Sequence, residues 1–179
     1  MSTSSYQKRE GDPITSQEYA RLTPLQKQDW LIRKLRGQPN PQKSGDGGVD
    51  GQMRIHLGMD KEHGDIWGDV IFQVKTGKQH NPASLRELWG TMETKNASIG
   101  VLITDKNPSK PMVEFAKARG EIHYTDHRKM KVPIPKLQII TSDEIMSGAR
   151  IRRPPSMTEV RKSRITPVSY THLTLPTKA

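Results

Sequence analysis

The clearest hydrophobic–polar pattern is the run Ile71-Phe72-Gln73-Val74-Lys75, rich in β-formers and set between Gly68 and Gly77. It reads as a short strand. Side chains alternate across a strand, so Gln73 and Lys75 point to one face and Phe72 and Val74 to the other. Upstream, Gln52-Met53-Arg54-Ile55-His56-Leu57 alternates as a second strand. Residues 58–68, rich in Gly, Asp and His, read as the loop of a hairpin between the two. Ile99 to Thr104 is a mostly apolar run, as expected of a buried strand. Leu137 to Thr141 reads as another strand.

Between these runs the period lengthens. Thr23-Pro24 is a helix start, with Thr as N-cap and Pro in the first turn. Leu25, Leu31, Ile32 and Leu35 form its apolar stripe, and Gly37 marks its end. A second helix starts near Pro82 and carries Leu85, Leu88, Trp89 and Met92 on one face. A third starts at Ser109 or Lys110, turns Met112, Phe115 and Ala116 inward and ends at Gly120. A short fourth runs from Ser142 to Gly148, with Asp143 and Glu144 placed favourably in its first turn. Strands interleaved with helices imply an α/β layered domain.

Three segments follow. Residues 1–22 are polar and read as a lead-in or linker, and 23–150 form the domain. Residues 151–179 read as a basic tail, disordered or partly helical. The last twelve residues, from Val168, resemble translated sequencing-adapter read-through and are set aside from fold reasoning.

Composition narrows the function classes. The chain has 179 residues, 32% of them hydrophobic, enough for one domain with a compact core. It has no cysteine, which excludes disulfides and thiolate metal sites and fits a cytoplasmic setting. No run approaches the ~20 apolar residues of a membrane helix. The net charge of +10 favours a polyanionic partner such as DNA. About half of that excess lies in residues 151–179, which hold six basic residues and one acid, Glu159.

The candidate chemistry sits in two stretches. Gly45-Asp46-Gly47-Gly48-Val49-Asp50-Gly51 can turn sharply and deliver the Asp50 carboxylate, with Asp46 read as a turn residue. Gln73 and Lys75 share one strand face downstream. Asp50 and the Gln73 amide oxygen are suited to magnesium, a hard cation that prefers oxygen ligands. Lys75 is suited to orienting water and offsetting charge on a phosphate. Lys43 and Lys78 are candidate contacts to the DNA backbone, which position without reading sequence. His56 and His63 lack metal-ligand spacing and read as surface residues. Arg86 and Lys95 either face DNA or are solvated.

Asp50 with Gln73-x-Lys75 resembles the Mrr-type branch of the PD-(D/E)XK nucleases, in which Gln replaces the usual acid. The run from Gly37 to Gly148 also resembles the nuclease-like domain at the C-terminus of some bacterial site-specific DNA methyltransferases. The pieces that carry it are Ser44 to Gly51, Gln73 to Lys78, Ile99 to Thr104, Pro108 to Met112, and Pro135 to Ile139 with Gly148. The resemblance implies a restriction-endonuclease-like three-layer core, a mixed central sheet flanked by helices with an αβββαβ order. That order needs one more short strand, near Asp50 or Asp69. The resemblance also suggests an acid on the first helix, where Asp29 stands, although a solvated helix face accounts for Asp29 as well.

Two functions follow from this reading. One is a magnesium-dependent DNA endonuclease of a restriction-modification system, with Asp50, Gln73 and Lys75 catalytic and Asp50 and Gln73 holding the metal. The other is a non-cleaving DNA-binding module of a DNA methyltransferase. The chain has no methyltransferase motif of its own, so a methyltransferase domain would lie elsewhere on the polypeptide. Cleavage of both strands would suit a homodimer.

Overall fold

The computed structural model describes residues 15–41, 48–77, 81–126 and 128–165. The elements run α1 (Ser16–Ala20), α2 (Pro24–Lys34), β1 (Gln38–Pro39), β2 (Gly51–Asp60), β3 (Gly64–Lys75), α3 (Pro82–Lys95) and β4 (Ile99–Thr104). They continue α4 (Lys110–Ala118), β5 (Glu121–Thr125), β6 (Lys131–Pro135), β7 (Leu137–Thr141), α5 (Ser142–Met146) and α6 (Met157–Ile165).

Five strands form one mixed sheet in the order β1-β2-β3-β4-β7. The β1–β2 and β2–β3 pairs are antiparallel, and β3–β4 and β4–β7 are parallel. Side-chain alternation on β3 divides the core in two. Val70, Phe72 and Val74 pack with Trp30, Leu31 and Ile32 of α2, with Leu35 just after it and with Ile145 of α5. Ile71, on the opposite face, packs with Leu85, Leu88 and Met92 of α3 and Met112 of α4. The result is the expected α/β three-layer domain. The short extra strand is β1, whose Pro39 pairs with Gly51 next to Asp50. With it, α2-β1-β2-β3-α3-β4 gives the αβββαβ order.

Local chemistry explains the element ends. Thr23 caps α2 through a reciprocal pair of bonds with Gln26, and Pro24 opens the helix. The left-handed residue that ends α2 is Arg36 (φ 66°), rather than the expected Gly37. Gly37 is needed for space: a Cβ there would lie 2.7 Å from the Phe72 ring and 2.8 Å from Ile32. Leu25, expected on the buried stripe, is exposed, and Trp30 takes the inward position. All six residues of β4 are buried, as its apolar run requires of a strand covered on both faces.

One expectation is corrected, and two stretches gain detail. Residues 58–68 are mostly strand, not loop: β2 and β3 extend to a tight turn at residues 61–63. The Asp60 carboxylate makes that turn by accepting the backbone N–H groups of Glu62 (2.7 Å) and His63 (3.1 Å). Residues 121–135 form a β5–β6 hairpin that the sequence reading passed over. Residues 151–165, read as a disordered or partly helical tail, carry the helix α6. Ile151 is buried in the α2-side core, and α6 is tied back by Glu159 to Arg36 and Arg153. Residues 166–179, with the adapter-like end, lie outside the described residues, as does most of the 1–22 lead-in. Among the described residues no helix is long and apolar enough to cross a membrane.

Candidate active site

The site forms where β2 begins and β3 ends. Asp50 immediately precedes β2, and its backbone N–H donates to the Phe72 carbonyl at 2.8 Å. Its carboxylate then accepts the Val74 N–H at 2.7 Å. That bond places the carboxylate beside the segment of β3 that carries Gln73 and Lys75. A backbone donor fixes the orientation of the carboxylate.

Gln73 and Lys75 continue the face of Ile71, beneath α3. Gln73 is 1% exposed. Its amide nitrogen points to Glu87 Oε1 at 3.4 Å, a long contact. Its amide oxygen is buried and has no hydrogen-bond partner among the described residues. Leaving a buried acceptor unpaired costs about 1–3 kcal/mol. Lys75 Nζ lies 3.5 Å from the other Glu87 oxygen. In a parallel αβ unit the carboxyl end of a strand is the usual place for ligands. Gln73 and Lys75 stand there on β3, whose partner β4 runs parallel to it.

The Gly48 turn closes over this group. Its φ of +82° suits glycine, and a Cβ there would lie 2.6 Å from Gln73 Nε2 and 3.2 Å from Glu87 Oε1. Gly48 thus lets the Asp50 segment approach the strand face closely.

The structure therefore brings Asp50, Gln73 and Lys75 together and adds Glu87, which the sequence reading missed. Glu87 sits on the polar flank of α3 beside Ser84 and Thr91, next to the apolar stripe. An acid on that flank, one element after Gln-x-Lys, was the available signal. Which flank faces β3 depends on how α3 crosses the sheet.

Lys43, Lys78 and Asp46 lie outside the described residues. Asp29 pairs with Arg33 along α2 at 3.8 Å. The Arg86 guanidinium lies over the Phe115 ring, 5.9 Å from its centre. His56 bonds Asp65 at 2.8 Å and stacks edge-on with Trp67. Asp60, Glu62 and His63 come close enough to share an ion, but Asp60 is already engaged in its turn. The backbone bond from Glu62 and the contact from His63 hold the Asp60 carboxyl below the usual carboxylate range.

A restriction endonuclease family model, Mrr_cat, matches residues 30–131, more than half of the chain and all of the site. A comparison with curated proteins gives no match. Among solved structures the chain is similar to the MspJI restriction endonuclease in complex with a 27-mer oligonucleotide. That similarity has 18% identity and a TM-score of 0.39, covering 66% of this chain and 24% of that one. It is also similar to the DNA modification-dependent restriction endonuclease AspBHI, with 16% identity and a TM-score of 0.40, covering 79% of this chain and 39% of that one. The chain thus spans well under half the length of either. On the family match, this chain belongs to the Mrr_cat restriction endonuclease family.

Proposed function

We propose that this domain is a magnesium-dependent DNA endonuclease that hydrolyses phosphodiester bonds. The observation that carries the reading is the Gln73 amide oxygen, buried without a partner, one residue before Val74, whose N–H donates to the Asp50 carboxylate. A fixed carboxylate and an orphaned amide oxygen are the donor chemistry that a hard divalent cation takes. Asp50 and Gln73 would hold the magnesium, which when bound would act as a Lewis acid on the phosphoryl oxygen.

The chain's own groups do the rest. The Val74 N–H holds the Asp50 carboxylate in place. Lys75 presents its ammonium group on the same strand face, where it orients the attacking water and offsets the charge that builds on the phosphate. Glu87 holds the Lys75 side chain in place through their 3.5 Å contact. Lys43 and Lys78 contribute backbone contacts to DNA, supported by the basic balance of the chain. A restriction-modification setting, with a methyltransferase domain on the same polypeptide and a homodimer for double-strand cleavage, belongs to the same reading.

A plasmid nicking assay tests it, on methylated and unmethylated DNA, with magnesium or with EDTA. Cleavage that requires magnesium is expected. Tight DNA binding without cleavage under any divalent cation would replace the nuclease with the non-cleaving binding module.

A further inference from the structure

Gln73 raises a question that the three-residue motif leaves unanswered: why the strand carries an amide where a carboxylate would bind a cation more strongly. Glu87 supplies the answer. Its two oxygens are divided between Gln73 Nε2, at 3.4 Å, and Lys75 Nζ, at 3.5 Å. An acid at position 73 would place a second negative charge at that 3.4 Å separation, on a side chain only 1% exposed. Two carboxylates so close, one of them dry, do not both ionise readily. An amide removes the conflict and turns it into an attraction.

The same contact sets which end of the amide is left without a partner. With Nε2 drawn to the Glu87 carboxylate, Oε1 points away from it and is left as a buried, unpartnered acceptor. The reverse orientation would set two acceptors against each other. The charge count agrees. Asp50 and Glu87 carry two negative charges and Lys75 one positive, with Gln73 neutral. That is the balance of an Asp…Glu-x-Lys site, with the second carboxylate moved from the strand to α3.

We propose that Glu87 is the second carboxylate of this site. In this role it orients the Gln73 amide oxygen toward the cation and supplies the negative charge that position 73 lacks. The inference rests on the nuclease reading for its setting, but it concerns metal affinity and is tested without DNA.

The experiment uses the full chain and Mn²⁺ alone, with free Mn²⁺ counted by electron paramagnetic resonance. Glu87→Gln should weaken Mn²⁺ binding about 10-fold or more, the usual scale for groups that orient a ligand. The double exchange Gln73→Glu with Glu87→Gln keeps the charge and the hydrogen bond while reversing their places. It should recover affinity to within about 3-fold of the starting protein. Thermal melts without metal check that both variants fold. The side-chain amide signal of Gln73 in ¹⁵N NMR should move with Mg²⁺ in the starting protein, and far less at the same concentration in Glu87→Gln. Unchanged Mn²⁺ affinity in folded Glu87→Gln would overturn the proposal. So would a double exchange that binds no better than the single change. Failure of the starting protein to bind Mn²⁺ would sink this proposal together with the metal-dependent reading. A cycle that behaves as expected, in a protein that never cuts DNA, would overturn the nuclease reading alone.

Discussion

Replacing Glu159 with glutamine should release the 151–165 segment from the domain. The Glu159 carboxylate accepts bonds from Arg153 Nη1 and Nη2, each at 3.1 Å, and from the Ser156 N–H at 2.6 Å, and it pairs with Arg36 just after α2. Burial alone would raise its pKa. The Arg153 and Ser156 hydrogen bonds and the charges of Arg153 and Arg36 outweigh that and lower it from 4.5 to about 2. A shift of that size corresponds to about 3 kcal/mol at most. The side chain is 27% exposed, so solvent screening reduces this to roughly 1–2 kcal/mol. Because the folded pKa is depressed, the stabilisation is full above pH ~4.5 and is lost as pH falls toward ~2. Hydrogen exchange of the amides in residues 151–161 reads the docking directly. At pH 7 the Glu159→Gln protein should exchange there about 5- to 30-fold faster, the kinetic equivalent of 1–2 kcal/mol. Denaturant unfolding of both proteins should converge as pH falls from 5 to 2.5. Equal exchange at pH 7, or a difference that widens on acidification, would refute the reasoning.

Two further substitutions separate the site from the scaffold. Gly48→Ala should cost about 1–2 kcal/mol in denaturant unfolding, from its positive φ. It should weaken Mn²⁺ binding more than that cost implies, because the new Cβ strikes Gln73 Nε2 and crowds Glu87. Leu102→Ala, at a fully buried position of β4 that pairs with Gln73, should cost about 2–5 kcal/mol and lower the urea midpoint. Its DNA-cleaving activity at low temperature should survive where that of Gly48→Ala does not.

Much of this architecture was legible because single segments carried complete signals. Thr23-Pro24 announced α2 through its cap. The unbroken apolar run of β4 announced a strand buried on both faces, with the bounds it has in the structure. The period-two alternation of β3 placed Gln73 and Lys75 on one face before any partner was known. What was missed depended on contacts far away in sequence. The outer half of the β2–β3 hairpin looks like a loop because its residues are polar and glycine-rich, and pairing rather than propensity extends it. The β5–β6 hairpin carries Pro133 and Pro135, which argue against a strand unless it lies at an edge, as it does in a two-stranded sheet. The 151–165 segment reads as a basic tail, disordered or partly helical, because its docking comes from Ile151 entering the core and from Glu159 reaching back to Arg36. Glu87 was hidden for a similar reason. The pattern of α3 gives its apolar stripe, but only the crossover from β3 to β4 decides which polar flank overlies Gln73 and Lys75.

The most direct measurement is single-turnover cleavage of a radiolabelled duplex, with protein in excess and magnesium saturating. The starting protein would be compared with Asp50→Ala and Lys75→Ala, and DNA binding measured in parallel. The account predicts a product in the starting protein, a loss of at least about 100-fold in rate for Lys75→Ala and for Asp50→Ala, and DNA affinity changed only a few-fold. Cleavage at undiminished rate in both variants would contradict the assignment of Asp50, Gln73 and Lys75 as the catalytic group.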